Sequence, residues 1–477
     1  MRSRPILAAL AGSLAIAGLS FVLEPFALLP DPWAWIAWGD ELLRFDLDTT
    51  SGPSWKPLPV LVVGVLSVTG DVAPILWDLI ARAGCVLAFF FAWRVARRLG
   101  GSRWAGAIAA GSLAIALLPS WMNIVAMGRE EGLLCALVLW AIDRHQERRE
   151  GQAFAVGFAA ALLRPEVWPF LGLYGLWLLW RRPRLRVEVV ALGVILLPLW
   201  FLPDVITVGD PLQSSQKAQG GISGTTLGEP VKRAFELVPV PLQLLALAAA
   251  VIAVVRLRGR TVKEMIGEER EMTVVVLFLS ALAWVAMVAV TSKVANYAGI
   301  ARFQHPAAAL FAVLAGAGAV WLAALLGDRL GRRQVVAGAL AAVVVLALVP
   351  SLPQRARRVD RVVKEVQARS TLDRSLGRAV TAAGGRERVV ACGATYTIPG
   401  NEPQLAWRLE RHIEQIDSTA PRRPATVFRV GASALREPKV RRLGIGIIRI
   451  RDRTFDPVAN AGVWQVMAAC RPGVTLG

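Results

Sequence analysis

Two acidic points flank a run of tryptophans in Asp31-Pro32-Trp33-Ala34-Trp35-Ile36-Ala37-Trp38-Gly39-Asp40-Glu41, and Asp46 and Asp48 follow at once. Carboxylates crowded at the end of an apolar segment are costly unless they do something, because tryptophan alone can anchor a membrane interface. A carboxylate can take a proton from an attacking hydroxyl. Cations recur at corresponding places in the chain: Lys56 in Ser51-Gly-Pro-Ser-Trp-Lys-Pro-Leu-Pro59, Arg129 before Glu130-Glu131, Arg164 in Arg164-Pro165-Glu166, and Arg302 in Ile300-Ala-Arg-Phe-Gln-His-Pro306. Arginine grips phosphate oxygens in forked pairs, lysine binds them as a point charge, and both stabilise a departing phosphate. Asp31 first and Asp40 second are therefore candidates for a base. Glu41, Trp55, Lys56, Arg129, Arg164, Glu166, Arg302 and His305 are candidates for substrate contacts. Taken singly, each has a plainer reading: an interfacial charge, a salt-bridged helix start at Arg129-Glu130-Glu131, or a local Arg164–Glu166 pair.

The elements that must position these residues are membrane helices. The chain has 477 residues, 55% of them hydrophobic, with 17 Trp against 3 Tyr. Apolar runs approaching the roughly 20 residues a span needs recur at 5–29, 73–93, 104–120, 131–143, 152–164, 166–180, 187–203, 237–255, 273–291, 304–326 and 335–350. The net charge of +19 is not spread as a nucleic-acid surface. It comes in bursts between apolar runs: Arg94/Arg97/Arg98/Arg103, Arg144/Arg148/Arg149, Arg181/Arg182/Arg184/Arg186, Arg256/Arg258/Arg260 and Arg329/Arg332/Arg333. Basic loops favour the cytoplasmic side. With the N-terminus inside, all five bursts fall there, while 31–72, 204–236, 293–303 and the chain beyond Pro350 face outward. The segment 58–69 is short and opens on Pro57 and Pro59, so it is expected to lie in or dip into the outer interface. Counting it as a span would invert every later loop. The first apolar run is longer than a signal-peptide core and is read as an uncleaved helix.

Residues 1–350 are thus expected to form a multi-pass membrane core of about 11 helices, and 351–477 a small extracytoplasmic α/β domain. In the tail, a helix is predicted over 356–383, another over Pro403–His412, and strands over Arg388–Cys392, Ala425–Val430, Ile445–Ile450 and Trp464–Ala468. Cys85 and Cys135 lie in spans as packing residues. Cys392 and Cys470 share the exported domain, where a disulfide could form. Three histidines and no CxxC spacing make zinc chemistry improbable. Asp46-Leu-Asp48 has the D-x-D form of a metal site, a spacing that also arises often by chance. No cofactor is expected, and a divalent metal at this pair stays open. The Gly-, Ser- and Gln-rich segment 204–236 has the composition of a lid or of an idle loop.

This arrangement resembles the GT-C superfamily of membrane glycosyltransferases. Asp31-Pro-Trp resembles the Asp-Pro-aromatic of oligosaccharyltransferase catalytic subunits, and Asp40-Glu41 the Asp-Glu pair of protein mannosyltransferases. Arg302-Phe-Gln-His-Pro306 is similar to the Arg-Tyr…Pro segment late in many GT-C cores. Gly52-Pro-Ser-Trp-Lys-Pro-Leu-Pro59 resembles the Pro-rich lead-in to their second outer-loop helix. Across 1–350 the layout is similar to that of actinobacterial members. The Trp-Trp-Asp-type motif of oligosaccharyltransferases is missing, which counts against asparagine glycosylation. The resemblance implies an essential aspartate in the first outer loop and a polyprenyl-phosphate donor carrying a sugar such as mannose or arabinofuranose. It also implies inverting transfer to an envelope glycan, glycolipid or protein hydroxyl at the cell membrane. The rival class is a non-catalytic polyprenyl-lipid carrier or flippase. Carriers often show internal repeats and matched midplane charges; here the ionisable groups gather at one face. A third class, an envelope scaffold, leaves the acidic cluster unexplained.

Overall fold

In the computed structural model, the described residues are 4–219, 227–258, 260, 269–441, 443, 448, 450, 452 and 454–476, with the side chains of 4, 117–125, 269 and 439 left aside. Helix α1 (Arg4–Leu23) is apolar around its whole circumference, and Leu7, Leu14, Ile16, Leu19, Val22 and Leu23 point away from the protein. Such a helix is stable only where its surroundings are apolar. Among the described residues, seven helical stretches are long and apolar enough to cross a membrane. Each expected apolar run falls on a helix. The central ones are α4 (Ala73–Gly100), α5 (Arg103–Val125), α6 (Glu131–Gln146) and the helices Val240–Leu257, Glu269–Val294 and His305–Leu330. Small residues let these backbones meet. A Cβ on Gly84 would lie 2.7 Å from Leu133 Cα, and one on Gly318 would collide with the Leu245 carbonyl. Close approach through small residues is how helices associate where lipid supplies no hydrophobic drive.

Helices α7 (Glu150–Ala161), α8 (Trp168–Arg181) and α9 (Arg186–Thr207) complete one flank. The first two are short, and Pro165 interrupts them as the sequence implies. At the far end of α4 and α6 several arginines of the basic bursts are not free charges. Arg94 Nε donates to Asp143 at 2.8 Å, Arg98 Nη1 lies 2.9 Å from the same carboxylate, and Arg144 Nη2 lies 2.8 Å from Glu147. That end of the bundle is held by buried ion pairs.

The opposite end carries the segment expected to be an outer loop. It contains a helix that the sequence reading did not separate, α2 (Pro30–Leu43), followed by α3 (Pro57–Leu66) and a 3-10 turn to Val72. Pro30 at the first helical position and Asp31 in the first turn are standard helix-start chemistry. Gly39 and Gly64 pack α2 on α3; a Cβ on Gly39 would lie 2.8 Å from Gly64 N. Gly70 (φ 58°, ψ −128°) then breaks the path into α4. Trp33, Trp35 and Trp38 are fully buried. The expectation that they anchor an interface is overturned: they form the core that joins α2 to the bundle and to the tail.

The tail opens with the helix Leu352–Ala382. Its five-stranded sheet has the order β2-β1-β3-β5-β4, with β1 (Ala394–Thr397), β2 (Ile416–Asp417), β3 (Ala425–Val430), β4 (Asp456–Ala461) and β5 (Trp464–Ala469). The first three strands are parallel, and β3–β5 and β5–β4 are antiparallel. The expected strand at 388–392 is instead a helix, Arg386–Cys392. The strand begins at Ala394, beyond Gly393 (φ 149°), where any Cβ would strike the Pro424 carbonyl. The expected strand at 445–450 lies largely outside the described residues. Cys392 and Cys470 are bonded, their Cα atoms 4.3 Å apart.

Candidate active site

Asp31 is placed by contacts from three distant segments. Asp373, on the helix Leu352–Ala382, accepts the Leu28 N–H at 2.8 Å, and Arg369 donates to the Leu28 carbonyl at 3.0 Å. The Leu29 N–H donates to the Met127 carbonyl at 3.2 Å. Trp77 Nε1 donates to the Gly128 carbonyl at 2.8 Å. Gly128 has φ 74°, and a Cβ there would strike Leu28 Cδ2, so the approach of the 126–130 loop to α2 requires glycine at this position. The next residue is Arg129, and the turn delivers its guanidinium to Asp31.

A single charged cluster results. Arg129 Nη1 lies 2.7 Å from Asp31 Oδ2, and Arg302 Nη1 lies 3.7 Å from the same oxygen and 3.4 Å from Glu131. Arg164 reaches Glu131 at 3.1 Å, Glu130 at 3.2 Å and Glu166 at 3.4 Å. Lys56 pairs closely with Glu130 and sits 4.9 Å over the Trp35 ring. Tyr297 donates its hydroxyl to Glu166 at 2.7 Å, and Arg164 and Arg302 lie over the Phe303 ring at 4.2 and 5.0 Å. Four cations, Lys56, Arg129, Arg164 and Arg302, thus meet four carboxylates, Asp31, Glu130, Glu131 and Glu166. Chain geometry explains the gathering. Lys56 and Arg164 are extended residues held before prolines, at the ends of loops. Arg302 lies in the 3-10 turn whose helix opens His305-Pro306.

The cluster has depth. Side-chain exposure is 23% for Asp31, 21% for Arg302 and 14% for Arg129, but 4% for Arg164 and zero for Glu130 and Glu131. The buried layer is neutralised internally, since each ion there needs a partner. The accessible layer is one carboxylate, Asp31, between the guanidinium groups of Arg129 and Arg302, with the Lys56 ammonium at a similar depth to Arg129. Burial alone would raise the Asp31 carboxyl, but Arg129, then Lys56, with Arg164 further off, outweigh it and hold Asp31 below the usual carboxylate range. His305 is fully buried at the start of its helix, and neither ring nitrogen has a hydrogen-bond partner. Buried polar atoms are normally paired.

The remaining predicted residues lie elsewhere. Asp40 follows Asp31 by nine residues on one helix, which places it about 13 Å along the axis and half a turn around it. It pairs with Arg44 at 2.9 Å. Glu41 is buried, accepts the Asp48 N–H at 3.1 Å and faces His412 of the tail, whose Nδ1 is 3.3 Å away. Burial, with Asp48 and Asp46 nearby, pushes the Glu41 carboxyl up to about 8 despite the Asp48 N–H and Arg44. Trp55 is buried against Trp38 and donates to the Leu199 carbonyl at 3.0 Å. Asp46 and Asp48 turn to His412 and the Thr50 N–H. Among the described residues no group of three or more metal-ligating side chains is gathered. Glu130, Glu131 and Tyr297 are members of the cluster that the sequence reading did not select. The adjacent Arg129 was the signal for the two glutamates; nothing marked Tyr297.

No family profile matches this sequence, and no curated protein does. Solved structures do match. ArnT from Cupriavidus metallidurans bound to undecaprenyl phosphate superposes with a TM-score of 0.53 at 14% identity, covering 98% of each chain. The same protein in its apo state gives 0.50 at 14% identity, again over 98% of each chain. The chain has the fold of ArnT. The likeness is one of fold, since 14% identity preserves a path and few residues. Within that fold the charged cluster lies where α2, the start of α6 and the turn before His305 converge. The small C-terminal sheet domain packs on the same end through Trp33 and Trp407, whose ring centroids are 5.5 Å apart.

Proposed function

We propose that this chain is a membrane glycosyltransferase. It moves a sugar from a polyprenyl-phosphate donor to a hydroxyl of an envelope glycan, glycolipid or protein on the outer face of the cell membrane. One observation carries the proposal: an accessible carboxylate, Asp31, held between two guanidinium groups on a charged floor that is otherwise self-neutralised. The GT-C resemblance and the fold of ArnT support the enzyme class, and the lipid bound to the ArnT neighbour supports a polyprenyl phosphate as partner. The outer location rests on the parity of the basic loops.

The arrangement divides the work between the layers. Arg129 and Arg302 flank Asp31 at the open side and present forked donors, so a donor phosphate would engage them first. Arg164, neutralised by Glu130 and Glu131, would supply field from below, and Lys56, paired with Glu130, would add a further cation beside the phosphate. A phosphate on Arg129 and Arg302 draws them partly away from Asp31. The carboxylate that they kept weakly basic in the empty site then gains basicity when the donor is bound. Asp31 would accept the acceptor hydroxyl's proton as the new glycosidic bond forms. The bond from the sugar carbon to phosphate breaks, and polyprenyl phosphate leaves with its added negative charge on the two arginines. Attack opposite the leaving phosphate inverts the anomeric carbon, as the family resemblance implies. Mannose and arabinofuranose remain the proposed sugars.

Purified protein in lipid nanodiscs, given radiolabelled polyprenyl-phosphate mannose or arabinofuranose and an envelope-lipid extract, should release polyprenyl phosphate and label the extract. Binding of both donors without release would instead support the carrier. Failure to bind polyprenyl phosphate would end the proposal.

A further inference from the structure

A second charged cavity lies on the other side of α2 from Asp31. It has a volume of about 900 Å³ and is formed where the tail meets Asp40 and the turn Ser67–Asp71. Four arginines line it: Arg374, Arg378, Arg386 and Arg408. Two are accounted for, Arg408 by Asp71 at 2.8 Å and Arg386 by a close pair with Glu410. The third carboxylate, Asp40, is already occupied by Arg44. Arg374 and Arg378 have no carboxylate partner among the described residues; Arg374 Nε reaches only the Ser370 carbonyl of its own helix, at 3.3 Å. Both are exposed, and at i, i+4 they share one helix face, where like charges repel. The surrounding backbone leaves space for these groups. Gly377 lies between them, and a Cβ there would press to 3.3 Å on the Arg408 guanidinium. Glu410 turns in at φ 51°, a conformation rare for a non-glycine residue.

We propose that this cavity is a binding site for an anionic glycan, a sugar chain bearing carboxylate or phosphate groups. Unpaired arginines select the charge, because guanidinium groups take carboxylates and phosphates in forked pairs. The size selects a chain over a lone ion, since 900 Å³ is near the upper end for small-molecule sites. The lining selects sugar over lipid. It is dominated by arginines, acids and glycines, with Trp407 and Val380 as its main apolar walls. Calling this glycan the acceptor rests on the glycosyltransferase reading; its binding does not. Held beyond α2, it would contribute binding energy remote from the bond being made.

The test uses the full chain in nanodiscs of zwitterionic lipid, with an oligogalacturonate as anionic probe, maltohexaose as neutral probe and inorganic phosphate as bare ion. Binding is read by thermophoresis at two salt concentrations. Oligogalacturonate should bind in a salt-sensitive manner, maltohexaose should not, and phosphate should bind far more weakly. The surface double variant R374A/R378A should weaken oligogalacturonate at least tenfold, and Asp31→Asn should leave it unchanged. Equal binding to wild type and R374A/R378A would overturn the proposal. So would no oligogalacturonate binding while phosphatidylglycerol vesicles lose affinity in R374A/R378A, which would assign the site to a lipid surface. Because no donor is present, loss of donor turnover elsewhere does not bear on this result.

Discussion

Replacing Arg129 by glutamine should shift the pH dependence of the reaction as well as lower its rate. Arg129 Nη1 lies 2.7 Å from Asp31 Oδ2, and it is the leading cation holding that carboxyl low. A hydrogen bond to a charged group contributes about 1.5–3 kcal/mol. At about 1.4 kcal/mol per pH unit, its loss should raise Asp31 by roughly one to two pH units, with Arg302 and Lys56 preventing a larger rise. The sign follows from charge: removing a cation favours the protonated carboxyl, so the acidic limb of the rate moves up. In the wild-type protein the acidic limb of kcat/KM for donor turnover should lie below the ordinary carboxylate range, because the surrounding cations hold Asp31 ionised. In R129Q the limb should move up by that amount, and Arg129→Lys should restore part of the difference. An unchanged limb in R129Q, or a wild-type limb near neutrality, would refute the assignment of Asp31 as the titrating base and of Arg129 as the group that tunes it.

Two further substitutions test the surroundings. Gly128→Ala adds a Cβ against Leu28 at a residue with φ 74°. It should cost about 1–3 kcal/mol in thermal unfolding and cut turnover more than stability, because the 126–130 loop aims Arg129. Glu41 is held protonated to about pH 8 in the folded chain against an ordinary value of 4.5. Folded protein therefore binds the proton more tightly, and the stability this provides is complete below pH 4.5 and lost as pH rises towards 8. The effect has an upper bound of about 5 kcal/mol. Thermal unfolding of E41Q between pH 5 and 9 should show that decline removed, and E41Q should be the more stable protein at pH 9.

The hydropathy pattern revealed the bundle because each apolar run is a local property of the sequence. It did not separate α2, and one consequence followed directly. Pro30 and Asp31 mark a helix start, and nine residues along a helix is half a turn, so Asp31 and Asp40 had to face apart. The cations of the cluster were legible as charges at matching loop positions, because a charge at the end of a span is conspicuous. Their partners were not. Glu130 and Glu131 looked like a local helix start, whereas they pair with Lys56, Arg164 and Arg302 across separations of 33 to 171 residues. Asp373 gives no local sign that it holds Leu28, 345 residues away. In the tail, Val389, Val390 and Cys392 have strand-like character, but paired glycines followed by Arg386-Glu387 start a helix there, and Gly393 ends it.

The central assertion is that Asp31, and not Asp40, receives the proton during sugar transfer. Turnover of a polyprenyl-phosphate sugar by Asp31→Asn and Asp40→Asn, measured side by side with donor binding, tests it most directly. General-base catalysis is worth about 10²–10⁴-fold. Asp31→Asn should lose turnover on that scale while still binding donor, and Asp40→Asn should stay within a fewfold of wild type. Full activity in Asp31→Asn, or its loss in Asp40→Asn alone, would contradict the account.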